Sequence, residues 1–301
     1  MRKLNNDTMY TTVIGSYPLK YNELGADAIR RSVEEQISAG IKIVSDGQTR
    51  TDMISMYAGA IGGMEIKNGK MRIVDKLTLK DASKFLEDFK YAKNVAGSRA
   101  SVKAIFTGPT TLANLSTLNT LAYKGYWDKK LYRDISIALM NIALELEKAG
   151  AKYFQIDEPY FSIKMIENAS QEAVENIATQ IHGEISLHVC GDISKIFDKL
   201  LKFNGIKVLS HAFSEFPENF QVISQEKLEN MNKILGFGCV SITDRIEEEK
   251  EIIDLIKKGI KLVGIRNMII HPDCGMRFLP KEVAKCKLIN MCKAAKVIEQ
   301  N

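Results

Sequence analysis

The sequence lacks an apolar run near the roughly 20 residues that a membrane span requires, and its first ten residues lack the apolar core of a secretory signal. Both absences point to a cytoplasmic protein with no membrane partner. The cysteines, Cys190, Cys239, Cys274, Cys286 and Cys292, are five in number and have no small-scaffold spacing. An odd, scattered set argues against a secreted disulfide framework and fits reduced thiols and a metal site. The excess of positive charge is slight, +5 from 42 basic and 37 acidic residues, and the lysines form no stripe, so nucleic acid is not an expected partner. No solenoid repeat, low-complexity tract or linker interrupts the chain, and nothing marks a domain boundary.

What is present is ordinary globular composition over 301 residues, 45% hydrophobic and 26% charged, enough for one large core. Short β-branched runs alternate with longer amphipathic stretches, the pattern of repeated βα units around a parallel sheet. Eight runs qualify as strands, at 11–15, 41–45, 103–107, 152–156, 185–189, 208–212, 234–238 and 266–270. Helical periodicity is clear over 26–39, 130–149, 170–182, 246–258 and 280–299. The expectation is therefore an α/β fold, a TIM (β/α)8 barrel, as one domain over 1–301. One region breaks the rhythm. Residues 53–101 exceed what a connecting helix needs, and Asn68-Gly69 lies between alternating runs, which predicts an extended loop with a hairpin over the barrel mouth.

In such a barrel the polar residues ending the strands converge on one face. Here they are Gly15-Ser16, Asp46-Gly47-Gln48, Gly108-Pro109, Asp157-Glu158-Pro159, His188-Val189-Cys190, His211, Cys239 and Cys274 in strand order. Residues two apart on a strand share a side, so His188 and Cys190 can hold one ion together with Cys274. Two thiolates and an imidazole suit zinc and leave its fourth tetrahedral position for substrate. Taken separately, the same residues read as small buried hydrophobes and a core histidine; their meeting at strand ends favours the metal. A zinc of this kind binds and deprotonates an incoming thiol, which becomes a nucleophile toward an electrophilic methyl group. Asp157, Glu158, Asp46 and Ser16 supply groups for an amino acid's ammonium, unless Glu158 or Asp157 merely pairs with Arg50 or Arg277. Asp157 and His211 are the candidates for catalytic roles. Cys286 and Cys292 read as structural residues of the last helix.

Seven motifs in order, TTVIGSYP (11–18), DGQTRTDM (46–53), GPTTL (108–112), QIDEP (155–159), HVCG (188–191), GFGCV (236–240) and PDCGM (272–276), resemble the catalytic barrel of the cobalamin-independent methionine synthase family, in its short archaeal-type form. The resemblance runs nearly end to end. It implies zinc ligation by His188, Cys190 and Cys274, and methyl transfer to homocysteine. The substrate carboxylate would contact Ile14, Gly15 and Ser16, and its amino end Asp157 and Gln48, the last a glutamate in the two-domain enzymes.

Three positions depart from the family's pattern. Its fourth zinc ligand is a glutamate after the sixth strand, where this chain has Ala212. Either zinc keeps three protein ligands and water, or His211, Glu215 or His271 substitutes, or the chain is a paralogue with altered activity. A tryptophan packed near folate is here Leu115, and a histidine linked to proton transfer is Thr243. With the family's N-terminal barrel also missing, the resemblance implies methylcobalamin or a methylated corrinoid protein as donor rather than methyltetrahydrofolate polyglutamate. Two rival readings remain: a uroporphyrinogen decarboxylase-like methylcobalamin:thiol methyltransferase with another thiol acceptor, and a non-catalytic barrel binding an amino acid or a corrinoid partner.

Overall fold

Strands that are apolar on both faces must be covered on both, and here helices cover one face while closure of the sheet covers the other. The computed structural model describes residues 9–19, 23, 25–50, 52 and 54–300. Its strands in chain order are β1 (Tyr10–Thr11), β2 (Ile43–Val44), β3 (Ile61–Lys67), β4 (Lys70–Leu79), β5 (Ser101–Thr107), β6 (Thr117–Leu118), β7 (Tyr153–Asp157), β8 (Glu184–His188), β9 (Val208–Ala212), β10 (Ile234–Val240) and β11 (Met268–Pro272). The helices are α1 (Ala26–Ala39), α2 (Ser55–Ala60), α3 (Ser83–Ala96), α4 (Pro109–Asn114), α5 (Lys129–Lys148), α6 (Asn168–Ala178), α7 (Phe197–Leu200), α8 (Gln225–Asn230), α9 (Glu249–Val263) and α10 (Lys281–Glu299).

Eight strands pair in parallel in the order β1-β11-β10-β9-β8-β7-β5-β2. A bridge between Thr12 and Ile43 joins the two ends, supported by the Lys42 N–H on the Thr11 carbonyl at 3.2 Å. This is the TIM barrel expected, with a strand at or overlapping each of the eight predicted positions, although β1 shares only Thr11 with the expected 11–15 and β11 begins two residues after the expected 266. The helix expected over 246–258 lies three residues later. Glu248 forms a capping box with Glu251, so the first turn begins at Glu249. No described helix is long and apolar enough to cross a membrane.

The region expected as an insertion over 53–101, whose first residue Met53 lies outside the described residues, contains α2, the β3–β4 hairpin and the returning helix α3. Asn68 and Gly69 turn the hairpin with φ of +53° and +72°, the pair of positive values that a two-residue turn of matching twist needs. β6 adds a third strand, and the Tyr123 hydroxyl accepts the Leu77 N–H at 2.7 Å, fastening the hairpin to the segment before α5.

Alternate strand residues line the barrel. The N-terminal end is filled by Val208, Ile234 and Ile269 with Tyr10. The layer above is polar, where such barrels mostly carry branched apolar side chains: Thr12, Lys103, Gln155, Ser186, Ser210 and His271 surround a small cavity there. Higher again stand Asp157 and His188, neighbours in register on β7 and β8.

Outside the barrel, α10 is locked to the segment after β10 by a buried ion pair. Lys287, fully buried, donates to Glu247 at 2.7 Å and to the Ser241 hydroxyl at 3.2 Å, while Glu247 also accepts the Ser241 N–H. Breaking such a pair strands a buried charge, so Lys287→Ala is expected to cost roughly 3–5 kcal/mol in urea unfolding. The double change Lys287→Met with Glu247→Gln should recover most of that. A loss below about 1 kcal/mol in the single variant would show that the pair does not hold the helix.

Candidate metal centre and adjoining pocket

The turn after β8 is set by Gly191, whose φ of +89° lets the chain reverse directly after Cys190. Buried Asn219 holds that turn: its amide donates to the carbonyls of Gly191 at 3.0 Å and Ala212 at 2.8 Å, and its oxygen accepts the Ile193 N–H at 2.9 Å. The turn after β11 is fixed by Asp273, whose carboxylate receives the N–H groups of Phe213, Ser214 and Glu215. Cys274 follows it. The N–H of Met276 then bonds the Ser16 carbonyl at 2.8 Å, tying this loop to the end of β1.

These constraints bring the imidazole of His188 and the thiols of Cys190 and Cys274 together, their ligand atoms all within 4.8 Å of one another. Among the described residues no other group of three or more such side chains does so. The Cys274 thiol donates to Cys190 and holds it below the usual thiol range, while Cys274 itself is pushed well above.

Hydrogen bonding also decides the state of His188. A carbonyl only accepts, so the Pro272 carbonyl, 2.7 Å from His271 Nδ1, requires the proton on that nitrogen. Burial holds His271 well below the usual imidazole range, so the ring is neutral and its Nε2 accepts. Ser210 Oγ, 2.9 Å from that Nε2, must spend its single proton there. It can then only accept from His188 Nδ1, at 3.0 Å. Nδ1 of His188 therefore carries a proton, and in the neutral ring the lone pair falls to Nε2, which is buried and without a hydrogen-bond partner. An orphaned lone pair beside two thiols is what a metal ligand set looks like without its ion, so these residues fit zinc.

The adjoining pocket is built by close approaches of backbone. A Cβ on Gly15 would lie 3.0 Å from Gln48 Oε1, and one on Gly275 would lie 2.2 Å from Ser16 Oγ. Gly15 and Gln48 are therefore in contact, and Ser16 packs on the residue that follows Cys274. Gln48 sits at φ +48° directly after Gly47 at +78°, a turn held by the Asp46 carboxylate on the Gln48 N–H at 2.9 Å and by Arg277 on its carbonyl at 2.6 Å. Asp157 stands at the end of β7, with Oδ1 receiving the Gln155 amide at 2.6 Å; burial raises its pKa.

Ile14, Gly15, Ser16, Gln48, Asp157, His188, Cys190 and Cys274 thus gather at one end of the barrel, and Asp46 stands beside Gln48. His211 does not join them. Inward positions on β9 belong to Ser210 and Ala212, so His211 points to the helical layer, edge-on to Phe197, with Nδ1 on the Val189 carbonyl and its pKa pushed down to about 3 by burial. Its expected catalytic role is withdrawn on that ground. Glu158 braces the barrel, although through neither arginine: its carboxylate receives the N–H groups of Thr110 and Thr111 at the start of α4 and the Thr111 hydroxyl. Arg50 pairs with Asp88 instead. Cys239 is buried on the outer side with its pKa well raised, away from the ligand group.

None of the three substitutes for the missing glutamate joins the ligand group, although His211 Nε2 is also buried without a hydrogen-bond partner. His211 faces outward, Glu215 accepts the Ile242 N–H at 3.0 Å, and His271 bonds Ser210. Ala212 is buried at the inward end of β9. Sequence reading passed over Ser210, Asn219, Asp273, Lys103 and Gln155, whose roles come from partners distant along the chain; only the inward parity of Ser210, Lys103 and Gln155 was available as a signal.

A family described as cobalamin-independent synthase, catalytic domain, matches residues 18–297. The methionine synthase of Methanothermobacter thermautotrophicus strain Delta H is 38% identical, the alignment covering 95% of this chain and 99% of that protein. That of Methanocaldococcus jannaschii is 34% identical, covering 97% and 100%. Among solved structures, a B12-independent methionine synthase from Shewanella sp. W3-18-1, in complex with selenomethionine, superposes with a TM-score of 0.81 at 24% identity, covering 97% and 98% of the two chains, a likeness of fold.

The tautomer deduced for His188 is directly measurable. With four histidines in the chain, 15N spectra of the metal-free protein should assign Nδ1 of His188 as the protonated nitrogen of its neutral ring. Ser210→Ala should abolish that preference. A neutral His188 bare at Nδ1 in the parent would overturn the hydrogen-bond order from Pro272 outward.

Proposed function

The chain belongs to the cobalamin-independent methionine synthase family, and from that premise we propose that it is a zinc-dependent methyltransferase that methylates the thiol of homocysteine to give methionine. His188, Cys190 and Cys274 hold the metal. One observation carries this reading: the unpartnered His188 Nε2 lies with two thiols at the C-terminal mouth of the barrel, where this fold places its chemistry. Zinc bound there lowers the pKa of an incoming thiol, so that it reacts as the thiolate.

The protein's own groups do the rest. The carbonyls of Ile14, Gly15 and Ser16 are all occupied, by the Gln155 amide, the Ser45 hydroxyl and the Met276 N–H. The donors of this segment, the Ser16 hydroxyl among them, are what it offers a ligand, which suits a carboxylate. Asp157 and the Gln48 side-chain oxygen are acceptors and suit the ammonium. In this reading Ala212 supplies no ligand atom, and His188, Cys190 and Cys274 would hold the metal among the described residues and leave it free to bind the substrate sulfur.

The donor inferred from the departures at Leu115 and Thr243, methylcobalamin or a methylated corrinoid protein, has no support in the comparisons, since the family is by description cobalamin-independent. We adopt a folate-type methyl donor in its place. The rival assignments to a uroporphyrinogen decarboxylase-like enzyme or a non-catalytic barrel fall with the family match over 18–297 and the methionine synthase relatives.

The purified protein is expected to bind about one zinc, and Cys190→Ser or Cys274→Ser to lose tight binding in a chelator competition. Retention in both variants would refute the ligand assignment. In the same assay Ala212→Glu should tighten zinc by supplying a fourth ligand, whereas unchanged affinity would mean that a fourth ligand is already present. Methyl transfer to homocysteine is expected from methyltetrahydrofolate with one or several glutamates; turnover with methylcobalamin alone would overturn the donor assignment. Asp157→Asn is expected to cost amino-acid thiols roughly 1.5–3 kcal/mol more than thiols without an ammonium group. An equal loss for both classes would assign Asp157 to the barrel or the metal.

A further inference from the structure

Beneath this pocket lies a charged side chain that the proposed reaction does not use. Lys103, on β5, points into the barrel and is 6% exposed. Its ammonium donates to the carbonyl of Val13 and to Oε1 of Gln155. Lysine has donors only, so the amide atom that faces it must be oxygen, and the Gln155 NH2 must face the other way. On that side the amide nitrogen lies 2.6 Å from the Ile14 carbonyl and 2.6 Å from Asp157 Oδ1. Two side chains thus connect the end of β1 to the carboxylate of β7 across the interior.

A lysine here is costly as a packing element. Burial lowers its pKa to about 7, opposed by the charge of Asp157, which reaches it through the amide and not by direct contact. An apolar residue of the same length would avoid that desolvation. The lysine does something an apolar residue cannot: it fixes the amide of Gln155 in the one orientation that gives Asp157 a donor. Flipped, the amide would set its oxygen against the carboxylate.

We infer that Lys103 is a positioning residue for the amino-acid end of the substrate: through Gln155 it holds Asp157 and the Val13–Ile14 segment that follows β1 at the fixed separation that an α-amino acid's ammonium and carboxylate demand. This rests on the reading of Asp157 and residues 14–16 as the amino-acid site. The relay acts on recognition, and the metal ligands take no part in it.

The test compares Lys103→Met, Lys103→Gln and Gln155→Leu with Asp157→Asn, all loaded with zinc. Two quantities are read: the dissociation constant of L-methionine by calorimetry, and the ratio of kcat/KM for homocysteine to that for 4-mercaptobutyrate, which differs from it only in lacking the ammonium. Lys103→Met and Gln155→Leu should each weaken methionine and lower the ratio roughly tenfold, the size expected for one lost hydrogen bond to a charged group. Lys103→Gln keeps a donor and should restore part of the effect. Equal losses for both thiols, or an unchanged ratio, in Lys103→Met and Gln155→Leu while Asp157→Asn lowers it would overturn the inference. An unchanged ratio in Asp157→Asn would instead refute the amino-acid site itself, and the role of Lys103 with it.

Discussion

The metal centre depends on the directionality of one chain of hydrogen bonds. It begins at a carbonyl, which can only accept, and passes through a neutral imidazole and a hydroxyl with a single proton to end at the Nδ1 of His188. Each link removes a choice from the next, so the last Nδ1 must carry a proton and the neutral ring's lone pair can only be on Nε2. A lone histidine at a strand end would divide its neutral form between two tautomers. Here the core of the barrel has selected one of them. The space for this chain comes from β10, where a Cβ at Gly236 would lie 2.8 Å from His271 Nε2. That close approach is what the glycine provides.

The same logic recurs on a larger scale. Several loops at this end of the barrel are fixed by a buried polar side chain from another loop: Asn219 for the turn after Cys190, Asp273 for the segment after β9, Glu158 for the start of α4. These groups accept or donate to several backbone groups at once, and so convert short irregular segments into rigid supports. Preorganisation of this kind matters because the reacting groups must already be aimed when substrate arrives.

The fold and most of the pocket were legible because they depend on local pattern. The βα alternation marks all eight barrel strands, and Asn68-Gly69 marks the hairpin. His188 and Cys190 could be paired from the two-residue repeat of a strand. The same repeat, applied strictly, would have excluded His211, since it is one residue away from the inward Ser210 and Ala212. What stayed hidden depends on partners far apart in the chain. Nothing local indicates that Ser210 meets His271, that Asp273 collects the N–H groups of residues 213–215, or that Lys103 reaches Gln155. The start of α9 was misjudged because Glu248 serves as an N-cap, a role more often filled by a smaller side chain.

The barrel is not equally strong around its circumference. Between β1 and β2 the sheet is closed by little more than the Thr12–Ile43 bridge, the Lys42 N–H and the Thr12 hydroxyl on the Ile43 carbonyl, and β1 and β2 each pair with their other neighbour over two residues only, whereas β7 shares five-residue ladders with β5 and β8. That seam runs up to the pocket, with Ser16 on one lip and Gln48 on the other. An amino acid held by both would act as an additional rung. Ligand occupancy and closure of the cylinder would then be a single equilibrium, so slow amide exchange along this one line would report how full the pocket is.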